Sequence, residues 1–146
     1  MLDISVIILT YNEEKHIERC IKSIKKYSDN IYIIDSYSTD NTIAISKSFN
    51  STILQNKFIN QSKQFAWALD NIDFKTEWIL RIDADEYLED NLIIEIKNKL
   101  PNINKDIVGI NLKRKHMFMD KWIKFGGRYP LILLRLWRNG HGYIED

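Results

Sequence analysis

The chain has 146 residues, a formal charge of +1 at pH 7, 45% hydrophobic and 28% charged residues, which suits one globular domain with a sizeable core. The near-neutral balance gives no electrostatic reason to expect a nucleic-acid partner, and no apolar run approaches the length of a membrane span. The lone Cys20 excludes an internal disulfide and, with no basic leader ahead of the apolar N-terminal run, points to a cytoplasmic protein.

Ile4 to Leu9 reads as a continuous buried strand closed by Thr10-Tyr11-Asn12. Asn12 is expected to cap a helix over residues 13–26, with Ile17, Ile21 and Ile24 on one face, Cys20 beside them, and Glu13 and Glu14 at its positive end. Ile31 to Ile34 is a second buried strand ending at Asp35, and the polar turn Ser36-Tyr37-Ser38-Thr39-Asp40 leads into a short helix through about Phe49. A brief strand over 52–54 precedes a helix over 61–71 that sets Phe65, Ala68, Leu69 and Ile72 at helical spacing. Trp78 to Ile82 is a fourth strand. Asn91 to Leu100 is an amphipathic helix stopped by Pro101, and Ile107 to Lys115 alternates like a half-exposed strand. Leu131 to Trp137 is expected to form an antiparallel hairpin with His141-Gly142-Tyr143-Ile144 through Asn139-Gly140. The alternation of strand and helix predicts an α/β fold: a mostly parallel central sheet with helices on both faces and a C-terminal antiparallel hairpin.

The fourth strand ends in Asp83-Ala84-Asp85-Glu86, three carboxylates within four positions. Like-charge repulsion and desolvation make such a cluster costly, and a hard divalent cation carrying a phosphorylated ligand is an economical way to relieve it. A solvated acidic turn is the simpler alternative. In open parallel sheets, however, ligands sit beyond the carboxyl ends of the strands. Thr10-Tyr11-Asn12-Glu13, Asp35-Ser36 and Asp83-Ala84-Asp85 all fall at that edge.

Together these clusters resemble the family 2 glycosyltransferases, inverting enzymes with the GT-A fold. Ile4 to Glu14 is similar to that family's opening strand. Asp35 to Thr42 resembles its second signature, with Tyr37 where a glycine is usual, and Asp83-Ala84-Asp85-Glu86 matches its metal-binding motif. The likeness runs from about Ile4 to Leu88; farther on, Arg128-Tyr129-Pro130 and Leu134 to Arg138 look like a branch that builds bacterial surface polysaccharides or lipopolysaccharide. The resemblance implies a single catalytic domain over 1–146, with residues 1–88 holding the nucleotide sugar and 89–146 forming part of an acceptor half. It also implies a UDP-sugar donor, Mg²⁺ or Mn²⁺ as cofactor, and a hydroxyl acceptor on a glycan or lipid-linked carrier. Carried over, Asp85 holds the ion with Asp83, which also serves the ribose side. Asp35 accepts from the base, and Thr10, Tyr11, Asn12, Glu13 and Ala84 line the nucleotide pocket. Lys63 is a candidate for the base or phosphates, and Arg81, two residues before Asp83, is expected in an ion pair.

An inverting transfer needs a general base in the acceptor half. Among the late acidic residues Asp120, Glu145 and Asp146, Glu145 is the candidate; the alternative is a base that lies outside this chain, which is expected to stop short within that half. His141 is read as a polar turn residue. Between Lys113 and Arg138, eight basic residues face Asp120 alone, interleaved with Trp122, Phe125, Tyr129 and Trp137. That segment is either the polar face of half-exposed strands or a contact with the inner face of an anionic membrane. Two other readings stay open: a nucleotide-sugar-binding module without turnover, and an aspartate-nucleophile phosphohydrolase in which Asp83 attacks phosphorus.

Overall fold

The computed structural model describes residues 1–124, 126 and 129–142. Its centre is a six-stranded sheet in the order β3-β2-β1-β4-β8-β5. Strands β1 (Ile4–Thr10), β2 (Ile31–Asp35), β3 (Thr52–Gln55) and β4 (Trp78–Asp83) run parallel. β5 (Gly109–Arg114) and β8 (Leu131–Arg138) extend the same sheet, β8 antiparallel to both neighbours. β6 (Met117–Phe118) and β7 (Lys121–Trp122) make a separate two-stranded hairpin.

Around β1, β2 and β4 both sheet faces are buried, as continuous apolar strands require. Successive side chains of β1 go to opposite sides. Ile4, Val6 and Ile8 join one core with Ile17, Cys20, Ile21 and Ile24 of α1 (Ile17–Lys25) and Ile96 of α4 (Asp90–Lys99). Ile45 of α2 (Thr42–Ser48) packs on the same side. Ile7 joins the other core with Ile34, Ile79, Trp137 and, from α3 (Gln61–Asn71), Phe65 and Ala68. Asn60 caps α3 by accepting from the Lys63 amide at 2.8 Å.

Two expectations change. α1 begins at Ile17, and its flanking residue His16 gives no side-chain cap; the Asn12 side chain is occupied elsewhere, as described below. β8 is inserted between β4 and β5. The antiparallel hairpin of the C-terminal part is β6–β7, whereas His141 and Gly142 beyond the Asn139-Gly140 turn pair with no strand, and Tyr143 and Ile144 lie outside the described residues. Among the described residues no helix is long and apolar enough to cross a membrane.

Candidate nucleotide-sugar site

The strand order places the change of winding direction between β1 and β4, where open α/β sheets leave a crevice. The register sets Thr10 beside Asp35 and Leu9 beside Asp83, so three strands deliver their polar ends to one edge. A cavity of about 280 Å³ opens there. Leu9, Thr10, Tyr11 and Glu13 line one side, and Asp83, Ala84 and Asp85 the other; Ser36, Phe58 and Gln61 complete it.

The loops after β1 and β2 hold each other. The Asn12 amide donates to Ser38 Oγ at 2.9 Å, and Asn12 Oδ1 accepts from the Thr39 amide at 2.8 Å. The Glu13 amide donates to Thr42 Oγ1 at 2.7 Å, the Glu14 amide to Asp40 Oδ2 at 3.1 Å, and Glu14 Oε2 accepts from the Asn41 amide at 3.0 Å. Asn12 is therefore a tie between loops, with φ at 53°, a left-handed conformation that asparagine tolerates. Tyr37 has φ at 61°. The turn thus keeps the conformation for which glycine is suited, and tyrosine adopts it against its steric preference.

Asp35 is fully buried and accepts four hydrogen bonds. Thr10 Oγ1 at 3.0 Å and Ser38 Oγ at 2.5 Å reach Oδ1, while the Ser38 amide at 2.8 Å and Gln55 Nε2 at 3.1 Å reach Oδ2. An ionised carboxyl offers about four acceptor positions, so all of them are taken by the protein. For a nucleobase N–H to reach Asp35, one of these donors must turn away.

The acidic end of β4 closes on itself: the Asp83 amide donates to Glu86 Oε2 and the Glu86 amide to the Asp83 carbonyl, both at 2.9 Å. Arginines relieve the crowding. Arg135 Nη2 stands 3.1 Å from both Asp83 Oδ2 and Glu86 Oε1, Arg114 Nη1 is 3.3 Å from Glu86 Oε1, and Arg81 Nη2 is 3.7 Å from Asp83 Oδ1. Burial pushes the Asp83 carboxyl up, but the Arg135 hydrogen bond and the charges of Arg135, Arg81 and Arg114 outweigh it and hold it below the usual carboxylate range.

Arg135 reaches this position through a fault in strand pairing. Ile110 pairs with Leu136 but Asn111 with Leu134, so Arg135 is the extra residue of a β-bulge. Bulges re-aim side chains. Here one turns a guanidinium into a nearly closed setting, the residue being 9% exposed.

Asp85 differs from its neighbours. Its residue is exposed, and among the described residues its carboxylate has neither a hydrogen-bond partner nor an ion pair; only its backbone carbonyl is used, by Arg19 Nη2 at 3.0 Å. No group of three or more His, Cys, Asp or Glu forms a cage among the described residues. A single free carboxylate lining an acidic cavity suits a hard cation that takes its other ligands from phosphates and water, the usual habit of Mg²⁺. The residues fit an ion that arrives with its ligand.

Of the other candidates, Lys63 is exposed in the first turn of α3 and does not line the cavity. Arg81 forms the expected pair and also donates to Gln61 Oε1 at 3.2 Å. Glu145 lies outside the described residues. Sequence reasoning missed Phe58 and Gln61, which carry no motif, and the part played by Arg114 and Arg135, which depends on pairing between distant strands.

The family description "Glycosyl transferase family 2" matches residues 5–140. The chain belongs to glycosyltransferase family 2. An uncharacterized glycosyltransferase of Rickettsia bellii is 37% identical over 103 residues, 70% of this chain and 34% of that protein. The lipopolysaccharide core biosynthesis glycosyltransferase LpsC of Rhizobium meliloti is 31% identical over 121 residues, 78% of this chain and 43% of that protein. The chain thus spans less than half of either curated relative. Glucosyl-3-phosphoglycerate synthase from Mycobacterium tuberculosis, solved with Mn²⁺ and UDP-glucose, superposes with a TM-score of 0.58 at 21% identity, covering 73% of this chain and 41% of that one. This likeness supports the GT-A fold. Family membership also leaves the phosphohydrolase reading without support, and Asp83, paired to Arg135, is no free nucleophile.

Proposed function

We propose that residues 1–146 are a single family 2 catalytic domain, with residues 1–88 as donor half and 89–146 as part of the acceptor half. Its reaction is transfer of a sugar, with inversion, from a UDP-sugar to a hydroxyl of a cell-surface polysaccharide or lipopolysaccharide acceptor. The observation that carries this reading is the convergence of the β1, β2 and β4 ends on one cavity containing Thr10, Tyr11, Glu13, Asp83, Ala84 and Asp85. Similarity to LpsC supports the choice of acceptor class.

In this reading Tyr11, 60% exposed at the cavity wall, offers its ring to the base. Asp35 and Asn12 act one step back by fixing the loops. Asp83, held by Arg135, faces the ribose side, and Asp85 holds the Mg²⁺ or Mn²⁺. When bound, the cation supplies Lewis-acid stabilisation to the departing diphosphate. Glu145 stays the candidate base; loss of transfer in Glu145→Gln with nucleotide binding intact identifies it.

Thermal unfolding with UDP and Mn²⁺ tests the donor site. Ligand at a hundred times its Kd adds about 2.7 kcal/mol, which raises Tm by roughly 5–10 °C for a chain of this size. A Tm unmoved by UDP or GDP with Mn²⁺ contradicts the reading. Binding without sugar transfer to any hydroxyl acceptor would favour the binding module instead.

A further inference from the structure

We infer that the β6–β7 hairpin is a lipid-surface contact that holds the domain against an anionic membrane. The hairpin turns on Met119 and Asp120, both left-handed at φ 48° and 59°. A two-residue turn of this kind favours Asn-Gly or Asp-Gly. Met119 serves neither the turn nor a core, since it is 80% exposed; Phe118 beside it is 65% exposed and Met117 48%. At the start of β8, Leu131 and Ile132 are also exposed, at 37% and 53%, on opposite faces of the sheet edge. Exposed apolar residues gathered at one projection mark an interaction surface.

Charge identifies the partner. Lys121 in the hairpin, Lys124 just after it and Lys113 on β5 are all exposed and without an ion pair among the described residues. Lys115 and Lys124 hold their ammonium groups 4.5 and 4.6 Å from the centre of the Trp122 ring. Lys115 is neutralised by Glu89 at 2.6 Å, and Asp120 is the one carboxylate in the hairpin. An apolar tip accompanied by unpaired lysines, with an indole at its base, complements the acyl boundary beneath anionic headgroups. A protein partner would need matching carboxylates around an apolar socket, whereas a lipid surface supplies both at once.

The placement has a consequence for the acceptor. Met117, Met119 and Asp120 form the outer wall of a groove of about 950 Å³ that reaches Asp83, Asp85 and Arg135. A hairpin resting on a membrane opens that groove to molecules lying in the surface, so the acceptor is carried on a lipid. This second step rests on the transferase reading; the lipid contact does not.

Co-sedimentation with phosphatidylcholine vesicles, with and without phosphatidylglycerol, tests the contact. Each unpaired lysine near the surface contributes about fivefold to partitioning, so three predict roughly a hundredfold preference for anionic vesicles at low salt, eroded at high salt. Lys121→Glu with Lys124→Glu, and separately Phe118→Ser with Met119→Ser, each lower binding more than about tenfold. Four results overturn the inference: no pelleting with anionic vesicles, equal pelleting with neutral ones, binding undiminished in the Phe118 and Met119 variant, or a lipid-free dimer abolished by the same substitutions. The UDP–Mn²⁺ thermal shift is unchanged in both variants. Its absence in the unaltered protein counts against the donor site while leaving the vesicle result intact.

Discussion

Replacing Arg135 with methionine removes the guanidinium that Asp83 and Glu86 share while keeping most of the apolar stem. Breaking a fully buried ion pair by deleting one partner costs about 3–5 kcal/mol. The Asp83 and Glu86 side chains keep 28% and 20% of their exposure, and Arg81 and Arg114 still stand 3.7 and 3.3 Å away. Water and these remaining cations offset about half of the penalty, leaving roughly 2 kcal/mol. Urea unfolding followed by fluorescence reads this well, because Trp78 and Trp137 are buried. With a slope of about 2 kcal/mol per molar, the midpoint falls by about 1 M. The effect also has a pH signature. A carboxyl lowered in the folded state, as Asp83 is, contributes stability that is complete above its unfolded value near 3.9 and is lost as pH falls through the folded value. The gap between the two proteins is therefore full at pH 7 and narrows below about pH 4. A midpoint shift under about 0.3 M, or an equal gap at pH 7 and pH 3, refutes this account of Arg135.

Three further outcomes follow from the same geometry. Asp35→Asn replaces an acceptor oxygen by a donor amide among four protein donors, so it destabilises by about 2–4 kcal/mol in urea; a change below 1 kcal/mol contradicts that bonding. At Tyr37, held at φ 61°, valine lowers stability by about 1 kcal/mol or more whereas glycine matches or exceeds tyrosine, an order that thermal melts check. Burial, reinforced by the charges of Glu86 and Asp85, pushes the Cys20 thiol far up, so disulfide reagents label it only as fast as the chain unfolds; rapid native labelling at pH 8 would disprove this.

The polar edge of the sheet was legible in the sequence for a physical reason. Ile4 to Leu9, Ile31 to Ile34 and Trp78 to Ile82 are unbroken apolar runs, which only a sheet covered on both faces accommodates, and the polar residues ending them have one edge on which to gather. α3 was readable to its ends because its cap is local. Asn12 was misread because its partners, Ser38 and Thr39, lie 26 and 27 residues away, and a capping residue looks the same from sequence whichever amide it finds. The acidic cluster called for positive charge, and arginines supply it to Asp83 and Glu86, while the Asp85 carboxylate has no partner among the described residues; which strand ends would bring those arginines there was not readable. The aim of Arg135 at Asp83 gave no signal, since it comes from a bulge set by the register of β5 on β8. Nor do Met119 and Asp120 carry the usual turn residues, so the β6–β7 hairpin went unseen.

The central claim is that the ends of β1, β2 and β4 form one donor pocket with Asp85 as the metal-facing carboxylate. Its most direct test is an anomalous difference map from crystals soaked with UDP and Mn²⁺. The account predicts one manganese peak against the Asp85 carboxylate, with the nucleotide lying along Thr10 to Glu13 and Ala84. Manganese elsewhere, or UDP bound away from these residues, would contradict it.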